Sequence, residues 1–261
     1  MPKRLRYFIS SVLAALGFYL FLGLGVESRY YGLMLLVALV VFCFWFGLGI
    51  IFEGSIDTRI MSVLLPVLWT LGFGLFAVLL PATWLYFLLF SVFFGIIIYV
   101  MFLVENVFLV AIGYKTVPLY RAAYTVNLMV TLLVSFFVFD GLFSFKLPFW
   151  GNMLVVAGLS VLFFSYQYWA MAIELADDGK EKGRWPYIII PTVLITELVG
   201  ILSFWPVGIF KGSVYLVAAI YIILGLMQAE IRDRLFKRVE MTYVYIGVAI
   251  VLAAIFTTNW G

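Results

Sequence analysis

The sequence predicts an all-α protein: a polytopic integral membrane helical bundle of about nine transmembrane helices, with the N-terminus cytoplasmic and the C-terminus outside. Three observations predict it. First, 66% of the 261 residues are hydrophobic and only 11% are charged, whereas an ordinary soluble domain carries about 25% charged residues. So few charges cannot clothe a soluble core of this size, and the same composition excludes a disordered chain. Second, apolar runs near the ~20 residues that a span needs recur along the whole chain. Third, the Lys and Arg residues are sorted between alternate loops.

The first run, Tyr7–Leu24, follows Lys3, Arg4 and Arg6. Its apolar stretch is longer than a signal-peptide core and no small-x-small site follows, so it is expected to be a retained helix. The second, Tyr30–Phe52, is set off by Glu27-Ser28-Arg29 before it and Gly54 to Asp57 after it. The third, Ile60–Leu80, stops at Pro81. The fourth, Thr83–Ile112, is long: as one helix, Thr83 to Tyr114 measures ~48 Å. It must tilt, protrude or break, and Glu105-Asn106 is the expected break.

The fifth run, Arg121–Phe143, begins after Lys115 to Pro118, and the sixth, Pro148–Leu175, begins after Lys146. Asp177 to Arg184 reads as a solvated turn; it lacks the ligand spacing of a calcium loop. The seventh run, Tyr187–Trp205, ends at Pro206. The eighth and ninth are Ser213–Gln228 and Thr242–Asn259. Between them, Ile231, Leu235 and Val239 recur at i, i+4 and i+8 among basic residues. That pattern predicts a short amphipathic helix continuing from the eighth span. Residues 1–261 are thus expected to form a single transmembrane domain with no extramembrane domain.

Nine spans with a cytoplasmic N-terminus leave only Arg29, Lys146 and Lys211 of the 16 basic residues on the outer side. Adding or losing one helix mid-chain would mix the two sets, so the asymmetry supports both count and orientation. Trp84, Trp150, Trp205 and Trp260 fall at outer ends and Trp185 at an inner end, as an interfacial aromatic belt requires. No Asn-x-Ser/Thr sequon occurs, which agrees with a prokaryotic cytoplasmic membrane.

The rare residues exclude chemistry. Without histidine there is no histidine-held haem or metal and no Ser-His-Asp triad. With one cysteine, Cys43, there is no intrachain disulfide and no cysteine-based zinc site. No phosphate-binding or dinucleotide glycine motif is present. No cofactor and no metal site are expected. The expected partners are the lipid bilayer and other membrane proteins, not nucleic acid.

An ionisable side chain at the bilayer centre costs at least ~2.5 kcal/mol and is a functional-site candidate by default. Glu197 is the clearest, about 15 Å along the helix from Tyr187. No basic residue lies at that depth, so it must be protonated, hydrogen-bonded to a neutral group or bound to a cation. Asn127 and Gln167 are amides that could contact it from neighbouring helices, though sequence alone derives no such contact. Glu105, Asn106, Arg121 and Asn127 form a second candidate, a polar pocket open to the cytoplasm in which Arg121 pairs with Glu105. Arg232, Arg234, Lys237 and Arg238 are candidates for gripping anionic headgroups.

Three functions follow. The chain is a non-enzymatic scaffold or accessory subunit of a membrane assembly, a small proton- or cation-coupled transporter using Glu197, or a lipid-processing enzyme using Glu105, Asn106 and Arg121. The first needs only packed helices, explains the tiny loops and is the leading expectation.

Overall fold

The computed structural model describes residues 2–49, 55–79, 83–113, 118–175 and 183–258. Among these there is no strand, and nine helices are long and apolar enough to cross a membrane. They are α1 (Lys3–Leu22), α2 (Arg29–Leu48), α3 (Ile56–Val78), α4 (Trp84–Gly113), α5 (Tyr120–Ser144), α6 (Phe149–Leu175), α7 (Arg184–Phe204), α8 (Ile209–Ile231) and α9 (Lys237–Thr257). Each coincides with one apolar run to within a few residues. Local chemistry sets several ends. Ser55 caps α3 by accepting the Thr58 N–H at 3.3 Å, which satisfies one of the orphan donors of a first turn. Gly49 ends α2 at φ 75, the left-handed conformation that glycine adopts without penalty.

Two expectations are corrected. α4 runs unbroken through Glu105 and Asn106 for 30 residues: both keep helical backbone, and the Asn106 side chain reaches sideways, its Oδ1 accepting from another helix. The stretch 230–240 is not one helix. α8 stops at Ile231, where Asp233 adopts φ 51 and the Arg234 N–H returns to the Ala229 carbonyl at 2.8 Å. This is the backbone closure that terminates helices, and Lys237 then starts α9. The turn at 177–182 lies outside the described residues.

The chain divides into two compact units, Met1–Val138 and Phe139–Gly261. In the first, α3 is central, and three consecutive residues show why. The position of a Cβ on Gly72 lies 2.5 Å from a Val138 methyl and 2.8 Å from its backbone nitrogen, so α5 touches the bare backbone of α3. A Cβ on Gly74 would meet Leu33 of α2 at 2.7 Å. Between them, the Phe73 ring stacks with Trp69 at 4.5 Å and Phe18 of α1 at 5.4 Å. It also meets Phe137 of α5 edge-on at 5.0 Å. Phe18 and Phe94 of α4 stack at 4.4 Å. Trp69, Phe73, Phe18 and Phe94 are all fully buried.

In the second unit, α6 and α7 pair antiparallel. Tyr168 stacks on Tyr187, a Cβ on Gly200 would meet the Met153 sulfur at 3.1 Å, and Phe149 packs on Phe204. Each step down α6 is a step up α7. α9 lies along α8 through Tyr221–Tyr243, and its far end is tied by Lys211 Nζ donating to the Thr257 carbonyl at 2.7 Å. No residue of α9 is buried.

Replacing Gly72 with valine should force α3 and α5 apart and cost about 1–3 kcal/mol, the usual penalty of overpacking. Thermal unfolding in detergent should show the loss. Gly158→Ala, at a position where an added Cβ meets nothing, should unfold at or above the wild-type temperature.

Candidate functional site

One end of the first unit collects polar side chains. The first turns of α1, α3 and α5 and the last turns of α2 and α4 meet there, because consecutive helices run in opposite directions. Tyr7, on α1, is almost fully buried, and its hydroxyl donates to Asn106 Oδ1 of α4 at 2.8 Å. Its ring stacks on Phe102 at 5.5 Å, and Phe102 stacks on Phe44 of α2 at 4.0 Å. The stack needs a glycine beside it. A Cβ on Gly47 would lie 2.5 Å from the Phe102 ring, which is held between two others and cannot yield.

Glu105 is 1% exposed and Asn127 is likewise buried. They lie on the facing sides of α4 and α5. Phe108, one turn beyond Glu105, packs on Tyr120 with ring centroids 5.6 Å apart. Tyr120, Tyr124 and Asn127 fall at i, i+4 and i+7 and are all buried, so they form one face of α5. Arg121 is exposed, one position round the helix from that face. The sequence places Glu105, Asn106, Arg121 and Asn127 in one pocket. The structure buries Glu105 and Asn127, half-buries Asn106 and leaves Arg121 at the surface. Tyr7 is the residue that sequence reasoning misses. Its partner lies 99 positions away, and no local pattern announces such a pair.

Glu197 belongs to the second unit. It is exposed, on the outward side of α7, and forms no hydrogen bond or ion pair with a described residue of its own unit, Gln167 included. Gln167 is fully buried in α6. The Thr and Ser hydroxyls of α7 are satisfied within the helix: Thr192, Thr196 and Ser203 donate to the carbonyls of Ile188, Thr192 and Val199 at 2.7–2.8 Å. Around Glu197 the outward side is apolar, with Ile190 60%, Leu194 45%, Ile201 54% and Phe204 74% exposed.

The four candidate headgroup contacts do gather at one end of the second unit. Arg232 is half-buried at the end of α8; Arg234, Lys237 and Arg238 are exposed in the turn and in the first turn of α9. Arg184, at the start of α7, lies at the same end and packs its guanidinium over Trp185 at 5.2 Å. A separate groove of about 480 Å³ opens between α1 and α4. Its walls include Phe8, Leu16, Val92 and Tyr99, and its floor carries the small residues Ser11 and Ser91. Among the described residues, no three His, Cys, Asp or Glu side chains are grouped to hold a metal.

The Tyr7–Asn106 bond can be weighed by a double-mutant cycle on unfolding free energy. Tyr7→Phe and Asn106→Leu should show a coupling of about 0.5–1.5 kcal/mol, since the ring stack survives in Tyr7→Phe and only the hydrogen bond is lost.

Comparison with known protein families, with curated proteins and with solved structures finds no match.

Proposed function

We propose that this chain is a multi-pass protein of a cell membrane, a prokaryotic cytoplasmic membrane, and that it acts there as a non-enzymatic scaffold or accessory subunit of a membrane assembly. The observation that carries the reading is the outward position of Glu197. A coupling acid works from inside a cavity that water or ions reach from either side. This carboxyl instead sits on the outer face of its helix, in the middle of an exposed apolar stripe. A polar group on such a face is suited to joining helices, because in hydrocarbon a hydrogen bond between side chains is one of the forces that draws them together.

The apolar exterior supports the membrane setting. Large side chains such as Leu20, Tyr31, Leu35 and Phe256 are at least 70% exposed, which in water would drive aggregation. The distribution of cations supports the orientation. In the first unit, Lys3, Arg4, Arg6, Arg59 and Arg121 all lie in the first turns of α1, α3 and α5. In the second, Arg184, Arg232, Arg234, Lys237 and Arg238 share one end, and Lys146 and Lys211 lie at the other. On the positive-inside rule the crowded ends are cytoplasmic and the lipid headgroups there are the natural contacts of the α8–α9 turn.

Two measurements test this. An alkaline phosphatase reporter fused after Gly261 should be active and one fused after Gly113 inactive; the reverse pattern overturns the orientation. Changing Arg232, Arg234, Lys237 and Arg238 together to Gln should leave part of the population with an inactive reporter at Gly261. For the function, vesicles reconstituted with the protein should hold a proton or sodium gradient as long as protein-free vesicles do. Dissipation that Glu197→Gln abolishes would establish the transporter instead.

A further inference from the structure

We infer that the groove between α1 and α4 holds one acyl chain of an anionic glycerophospholipid, with the phosphate of that lipid at Arg4. The inference rests on the membrane reading above and adds a partner to it: a lipid of the leaflet at the N-terminal end of α1. Every wall of the groove belongs to the first unit.

The shape of the groove comes first. Along its floor α1 and α4 nearly touch, since a Cβ on Gly95 would lie 2.8 Å from the Ala15 methyl. Val12 and Leu16 on one side, and Val92 and Ile96 on the other, rise as exposed apolar walls. Rings from the two helices meet edge-on near each end, Phe8 with Tyr99 at 6.4 Å and Tyr19 with Phe87 at 6.3 Å. Phe8 to Tyr19 spans about 16 Å of helix. Half of a bilayer's hydrocarbon core is about 15 Å, so the groove is as long as one leaflet is deep.

The polar groups at one mouth come second. Arg4 precedes Phe8 by one turn, on the same side of α1 as Phe8, Ser11 and Ala15, and it is exposed. Asn106 lies two turns beyond Tyr99 on the groove side of α4. Its Oδ1 is engaged by the Tyr7 hydroxyl, and it makes no other hydrogen bond with a described residue of its own unit, so its amide N–H groups remain as donors. No described carboxylate competes at this mouth: Asp57 is on α3, and Glu105 is on the side of α4 that faces α5. At the other mouth, the last turn of α1 and the first turn of α4 carry no basic residue. A guanidinium and an amide donor above an apolar slot match the phosphate, the ester carbonyl and the chain of a phospholipid in the order in which the lipid presents them. The guanidinium suits the phosphate because its planar donors meet two oxygens at once.

Two neighbours separate a built site from the general attraction of a basic helix end for anionic lipid. Lys3 is exposed at the same end and carries the same charge, but lies about 100° round α1 from Arg4, away from Phe8. Leu13 is exposed in the same stretch of α1 but on a side that does not line the groove.

The full-length protein in detergent should retain phosphatidylglycerol about tenfold more tightly than phosphatidylcholine, read by native mass spectrometry. Arg4→Gln should remove most of that preference, and Lys3→Gln should keep it. Val92→Trp, which fills the slot from an exposed wall, should weaken retention of both lipids, and Leu13→Trp should weaken neither. All four variants should unfold at the wild-type temperature. At one equivalent, phosphatidylglycerol with a diazirine in one acyl chain should label residues 8–19 and 88–99 on illumination, a readout that needs no variant. Equal retention of the two lipids by the wild type, an equal loss in Arg4→Gln and Lys3→Gln, or labelling confined to other helices overturns the proposal. Loss of the preference with the reporters at Gly113 and Gly261 as expected removes this site alone. Reversed reporters with the preference intact overturn the orientation and leave the site standing.

Discussion

The first unit depends on one short stretch of α3, Gly72-Phe73-Gly74. The two glycines let α5 and α2 approach the bare backbone, and the ring between them meets aromatic side chains from α1, α4 and α5. In a lipid surround the usual gain from removing apolar surface from water is absent between helices, so close packing and dispersion must supply the association. Stacked rings are well suited to supplying it, since each aromatic pair contributes about 0.5–1.5 kcal/mol beyond the area it buries. With 20% of the chain aromatic, the sequence is rich in the material for such packing. The second stack, Tyr7–Phe102–Phe44, repeats the device nearer one end and again requires a glycine, Gly47, beside it.

The second unit is built differently. α6 and α7 engage over their length, but α8 and α9 form a thinner attachment and α9 buries nothing. What α9 has is polar fastening at its far end, where Lys211, Tyr215 and Trp205 reach Thr257 and Thr258. The outer faces of α7 and α9 are thus the least covered surfaces of this unit. Of the two, α7 alone carries a carboxyl group in the centre of its outer face.

The polar groups show how far pattern reading reaches. Glu105, Asn106, Asn127 and Gln167 are recognisable because polar residues are rare in these spans. Three of the four are buried side chains of the helix core. Their chemical type marks them, and the cost of exposing such groups to hydrocarbon explains their inward position. The expected break in α4 does not occur: the helix is continuous and Asn106 Oδ1 accepts from Tyr7 of another helix. The expected continuation of α8 fails for a local reason: Asp233 turns left-handed and closes the helix, leaving Leu235 and Phe236 exposed in the turn.

The sequence by itself determined the number of helices, their approximate ends and which groups would be scarce enough to matter, because each of these follows from length, composition and spacing along one helix. It did not determine which way any helix faces. α7 is apolar nearly all round, so its residues carry no contrast that selects a packed side. That side is chosen by partners distant in sequence: Met153 closing on Gly200, Phe149 on Phe204, Tyr168 on Tyr187. Only the tertiary structure could turn Glu197 to the side of α7 opposite Ile188, Thr192, Ile195 and Val199, the residues that pack within its own unit.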